Sequence, residues 1–149
     1  MMSVHPSMQV SEVTNFSLND GVLIEATTAM LTLPNHSQLQ ITLVYRSPSV
    51  PTSTLLTVMS SILTCSVSSS IPSIVLGDFN EDLITCPATQ LLSLMSSHGF
   101  SQLVDCPTTD NGSLLDHVYC NRPCDCHTVQ VLDAYYSDHD IVHCSIQMS

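Results

Sequence analysis

Residues 74–80, Ile-Val-Leu-Gly-Asp-Phe-Asn, constrain the fold more than any other stretch. A short apolar run of this kind reads as a buried strand. Gly77 lets the backbone turn at the sheet edge, where a side chain would crowd it. Asp78 and Asn80 lie two apart on an extended backbone, so their side chains point the same way. An anion and a neutral amide therefore share one mouth. A hard metal ion and a phosphate oxygen both suit such a pair. An Asx turn at the end of a strand accounts for the same residues without any ligand.

The chain has 149 residues, 44% of them hydrophobic, which is one domain's worth and enough to bury a core. Arg46 and Arg122 are its two basic residues; with 13 acids the net charge is −11. That is the wrong sign for holding a polyanion by surface charge, since phosphates are usually neutralised by Lys and Arg. Residues 1–20 carry neither a basic leader nor an apolar core, and no apolar run is long enough to span a bilayer. The expectation is an intracellular chain, nuclear or cytoplasmic, with reduced thiols and no membrane partner. Cys120, Cys124, Cys126 and His127 are spaced unlike the usual zinc knuckle, so no zinc is expected there.

Along the chain, residues 1–20 show no clear period. Residues 21–33 and the alternating 39–46 read as strands, and Pro48 and Pro51 break the chain after them. Residues 53–67 place Leu55, Leu56, Val58, Met59, Ile62 and Leu63 at helical spacing, with Thr52 or Ser53 as cap. Residues 73–77 form the buried strand, and 88–98 a second helix closed by Gly99. Short strands are expected near 101–104, 114–120, 128–133 and 140–147.

Two later segments sharpen the reading. Residues 113–121 run Ser-Leu-Leu-Asp-His-Val-Tyr-Cys-Asn, and 136–146 run Tyr-Ser-Asp-His-Asp-Ile-Val-His-Cys-Ser-Ile. Each joins an apolar β-type run to an Asp beside a His. The order Gly-Asp-Phe-Asn, Leu-Asp-His, Ser-Asp-His resembles the endonuclease/exonuclease/phosphatase superfamily. Val44-Tyr45-Arg46-Ser47-Pro48, with Gly99-Phe100, Leu103-Val104 and Pro107-Thr108, resembles its branch in the apurinic-type endonuclease domains of non-LTR retrotransposons. The resemblance covers roughly residues 21–147.

It implies an α/β chain forming part of a four-layer sandwich: two mixed β-sheets flanked by helices, truncated at the N-terminus. Residues 1–20 would be a poorly defined lead-in, and 21–149 the C-terminal two-thirds of the domain. It implies Mg²⁺ or Mn²⁺ as cofactor and DNA as partner, held weakly given the charge. By the same resemblance Asp78 activates or orients the attacking water. Asn80 holds that water or a phosphate oxygen, Asp138 contributes to the metal site, and His139 donates to the phosphate. Asp116 fixes the His139 tautomer and favours its charged form. Tyr45 reaches the phosphate, and Thr108 lines the groove.

Plainer readings stand beside these. Tyr45 is an ordinary strand residue. Arg46 serves a phosphate contact or a salt bridge equally well. His117 must face away from Asp116 on a strand and so is structural. His143 reads as packed, and Glu81 and Asp82 as a solvated turn. The resemblance also calls for an Asn and a metal-binding Glu ahead of the Val-Tyr motif. Glu25 and Asn15 match those by residue type alone, and neither role is assigned. The expectation is thus a phosphodiester hydrolase of the retroelement endonuclease type, or a catalytically dead remnant that survives as an interaction module.

Overall fold

The computed structural model describes residues 8–19, 23–66, 70–122 and 126–146. Within these residues eight strands and two helices follow in the order β1 (Gln9–Asn19), β2 (Leu23–Thr32), β3 (Gln38–Arg46), α1 (Thr52–Ser66), β4 (Ser73–Asp78), α2 (Gln90–Ser97), β5 (Ser101–Gln102), β6 (Asp116–Cys120), β7 (Cys126–Leu132) and β8 (Ile141–Ile146). Six strands form one mixed sheet ordered β1-β2-β3-β4-β6-β5. Among the described residues only β3 and β4 pair in parallel, and α1 makes the crossover a parallel pair requires. The strands β7 and β8 form a second, antiparallel pair. Among the described residues the second sheet has these two strands alone, so the mixed pairing expected of it is not seen there.

Side-chain parity on the large sheet sorts the core into two layers. Ile24, Ala26, Val44 and Val75 pack with Leu55, Val58, Met59 and Leu63 of α1 and with Leu91 and Met95 of α2. The opposite parity, Leu31, Leu39, Ile74, Val118 and Cys120, packs with Val129 and Val131 of β7 and Val142 and Cys144 of β8. The chain is therefore helix on sheet on sheet, an α/β architecture.

Most elements lie within a few residues of expectation. The structure adds β1, where the sequence shows no period: a register shift between Ser11 and Thr14 interrupts its alternation, and its apolar residues Val10, Val13 and Phe16 are exposed. The α1 start also differs. Thr52 and Ser53 already lie within the helix, and the Pro51 carbonyl ahead of them accepts from the Thr54 and Leu55 amides, both at 3.1 Å. The α2 start is capped by Thr89, whose side chain accepts from the Leu92 amide, and Gly99 at φ 82° closes its end.

Gly77 sets the spacing of the parallel pair. Its φ is 150°, and a Cβ built there would lie 1.8 Å from the Val44 carbonyl oxygen. No side chain fits between β3 and β4 at this level. Of the cysteine cluster, Cys120 is buried on β6; Cys124 and the side chains of Cys126 and His127 lie outside the described residues.

Candidate active site

Sheet register assembles the site. Glu25 pairs with Tyr45, Tyr45 with Asp78, and Asp78 with Asp116. Residues opposite one another point the same way, so these four form a row across β2, β3, β4 and β6, on the face that β7 and β8 cover. The row lies where β3 and β4 end and where β2 and β6 begin. Strands stand ~4.8 Å apart, so Tyr45 and Asp116 flank Asp78 closely and Glu25 stands roughly 10 Å away.

The connection between β7 and β8 closes the site. It pairs Thr109 with His139 in an isolated bridge. The Asp140 amide donates to the Thr108 carbonyl at 2.8 Å, and the Asp110 amide to the Asp138 carbonyl at 3.0 Å. His139 then lies against the carboxylate row. Its Nδ1–H donates to Asp116 Oδ2 at 2.8 Å, and its Nε2 lies 3.8 Å from Asp78 Oδ2. An ionised carboxylate only accepts, so the Asp116 contact fixes the proton on Nδ1.

Charge balance follows from this geometry. Burial works against an imidazolium at His139, but the Asp116 hydrogen bond and charge outweigh it, Asp78 and Asp138 add to them, and the His139 pKa is raised. The Asp78 pKa is raised chiefly by burial, with Asp116 and Asp138 adding like charge. The Asn80 amide and His139 oppose that rise.

The oxygen and nitrogen donors of Asp78, Asp116 and His139 all lie within 4.8 Å of one another. Two crowded carboxylates, one of them reluctant to ionise, fit a hard divalent cation, which would relieve their repulsion. Asp78 and Asp116 are the residues that would hold it; His139 already spends Nδ1 on Asp116.

Other expected residues are placed differently. Asn80 takes a left-handed φ of 48°, its amide donates to Asp78 Oδ1 at 3.0 Å, and its side-chain amide donates to the Arg46 carbonyl. The Asx turn is thus present, and it orders Asp78. Asp138 is exposed and lies outside the three-residue donor group; it acts on Asp78 and His139 by charge. Thr108 is fully buried behind the site, where its hydroxyl oxygen accepts from the Leu115 and Asp116 amides, both at 3.1 Å. One buried residue therefore holds the start of β6 by its side chain and the His139 loop by its carbonyl.

Arg46 takes the salt-bridge option. Its parity turns it to the helical face, 6% exposed, where it donates to the Val50 and Phe79 carbonyls and pairs with Glu81 at 3.3 Å. Glu81 and Asp82 are accordingly not a merely solvated turn: Asp82 accepts from the Leu114 and Ile84 amides and the Thr85 hydroxyl, which hold its pKa down. His117 faces away from the row, as alternation requires. It stacks on Phe79 at 5.0 Å and bonds the Tyr119 hydroxyl and the Glu81 carbonyl, and burial lowers its pKa.

Glu25 in register, Thr108 as a brace and Glu81 as an ion-pair partner were not legible beforehand. The inward turn of Arg46 decides between its two expected roles: next to Tyr45 on a strand, it faces the other way.

No family model matches the sequence, and no curated protein matches it. Solved structures do. An endonuclease/exonuclease/phosphatase family protein from Leptotrichia buccalis superposes with a TM-score of 0.74 at 16% identity, over 94% of this chain and 62% of that one. The endonuclease domain of TRAS1, a telomere-specific non-LTR retrotransposon, gives 0.69 at 15% identity, over 96% and 80%. D. rerio TDP2, solved with a single-strand DNA product, gives 0.65 at 11% identity, over 93% and 68%. The chain thus spans between about three-fifths and four-fifths of these structures. Its fold is that of the endonuclease/exonuclease/phosphatase family.

Proposed function

We propose that this chain is a metal-dependent phosphodiester hydrolase-like domain of the retroelement DNA endonuclease type. The observation that carries the reading is the Asp78–His139–Asp116 contact set, assembled from three distant motifs at one end of the sheet. The likeness in fold to the TRAS1 endonuclease domain and to TDP2 supports it.

Cutting a phosphodiester requires an oriented water, an offset for charge growing on phosphate, and a stabilised leaving oxygen. A divalent cation, when bound, supplies Lewis acidity toward the phosphate oxygens. Asp78 accepts a proton from the attacking water or orients it, with the Asn80 turn fixing its carboxylate. Asp116 holds the His139 proton at Nδ1, so that Nε2 faces the side from which phosphate arrives. The raised His139 pKa favours a charged donor there. Tyr45, exposed beside Asp78, offers its hydroxyl to the phosphate.

The test is nicking of supercoiled plasmid and of single-stranded DNA with Mg²⁺ or Mn²⁺, beside Asp78→Ala and His139→Ala controls. Nicking by the wild type that both variants lose supports the reading; wild-type nicking no greater than the variants' overturns it. The net charge of −11, with Arg46 turned inward, favours a second reading: a fold that survives without turnover as an interaction module. Calorimetry separates the two, because tight Mg²⁺ binding that depends on Asp78 counts against the second.

A further inference from the structure

We propose that Tyr135 and Tyr136 form a stacking platform for an unpaired nucleobase of a single strand whose phosphate lies at His139. The inference rests on the nucleic-acid reading above and names the state of the substrate.

Three observations converge. The first is exposure: Tyr135 is 94% and Tyr136 84% exposed, whereas Tyr119 in the same chain is fully buried. Two adjacent rings left in water forgo a large apolar burial. The second is placement. The rings occupy the two corners of a turn whose Ser137 amide points back to the Ala134 carbonyl at 3.5 Å. That turn is braced to the site. Ala134 is buried and its amide faces Asp140 Oδ1 at 3.4 Å; Ser137 Oγ accepts from the His139 amide at 3.1 Å; and the Asp140 amide bonds Thr108. Tyr136 precedes His139 by three residues, so their Cα atoms lie within ~11 Å. At ~3.4 Å per nucleotide of stacked strand, the rings meet a base within about three nucleotides of the phosphate at Nε2.

The third is charge. The chain has two Lys or Arg residues. Arg46 is ion-paired inside, and Arg122 lies beyond the far end of β6, where its Nη2 donates to the Ser70 carbonyl. With so little phosphate neutralisation on offer, binding must draw on contacts that do not depend on cations. Base–aromatic stacking is such a contact, worth about 1–3 kcal/mol per base. It also discriminates: an inositol phosphate has no π face, and a base inside a duplex has both faces covered.

The test measures quenching of 2-aminopurine in short single-stranded DNA and RNA, in Mg²⁺ and in EDTA, on wild type, Tyr135→Ala/Tyr136→Ala and Tyr135→Phe/Tyr136→Phe. Both tyrosines are exposed, so unchanged melting temperatures confirm that the variants fold. Wild type should quench the probe, and the Phe pair should bind like it. The Ala pair should bind roughly 5- to 150-fold more weakly. An abasic strand should lose the same factor on wild type and nothing further on the Ala pair. The DNA and RNA arms show which sugar is preferred. Absence of quenching with either strand, or equal binding by the Ala pair, overturns the proposal. Cleavage that survives the Ala pair with unchanged KM removes the platform and leaves the hydrolase reading intact. Quenching without any cleavage keeps the platform and removes that reading.

Discussion

Replacing Gly77 by Ala tests whether the row of site residues depends on close contact between β3 and β4. The added Cβ meets the Val44 carbonyl oxygen at 1.8 Å, against 3.4 Å or more for an ordinary contact. The obstacle is backbone on a central strand, so relief requires the strands to part rather than a side chain to swing aside. The φ of 150° alone costs about 1–3 kcal/mol for a non-glycine residue. With the clash added, the total should reach about 4 kcal/mol or more, a large share of the ~5–15 kcal/mol that holds a domain together. Gly112→Ala isolates the conformational part: its φ is 81° and nothing lies within 4 Å of the added carbon, so ~1–2 kcal/mol is expected. Urea unfolding of both variants gives the difference directly. For a chain of this size the Gly77 variant should melt roughly 8–16 °C lower. If the two substitutions cost the same within about 1 kcal/mol, the close strand contact is not what holds Tyr45 against Asp78.

Arg46→Met should destabilise by about 3–5 kcal/mol in urea, because it strands Glu81 and the Val50 and Phe79 carbonyls inside; a near-neutral result would mean that the guanidinium faces water. The His139 imidazole, followed by NMR, should titrate above its ordinary value of ~6.5, and Asp116→Asn should bring it down. Its contribution to stability is complete below that ordinary value and fades as pH rises through the raised one. The Asp78 carboxyl is also raised, but ionisation at neutral pH then opposes folding, so Asp78→Asn should melt higher than wild type at pH 7 in EDTA. Adding Mg²⁺ should raise the wild-type melting temperature and leave that variant nearly unmoved, as ligand linkage requires.

Local chemistry made much of this fold legible. The strand at Gln38–Arg46 and the helix at Thr52–Ser66 carry undisturbed periods of two and 3.6, and both lie within a residue of expectation. The strand at Gln9–Asn19 does not, because its irregular register breaks the alternation and its outer edge buries little. The three acid and histidine motifs were visible as words in the sequence. That Glu25, Tyr45, Asp78 and Asp116 share one level was not, since register between strands dozens of residues apart is a long-range outcome of packing. Thr108 was marked as a groove residue. Its complete burial follows from loops converging on it, which no local pattern records.

The alternation along β6 carries one more consequence. Asp116 faces the candidate site, while His117 and Tyr119 pack with Phe79 on the helical face. Sliding β6 by one position against β4 would thrust the Asp116 carboxylate onto the helical face beside Phe79 and turn the His117 and Tyr119 rings away from it. Desolvating that charge and losing the ring contacts make the slipped pairing costly, so the aromatic packing acts as a gauge of strand alignment.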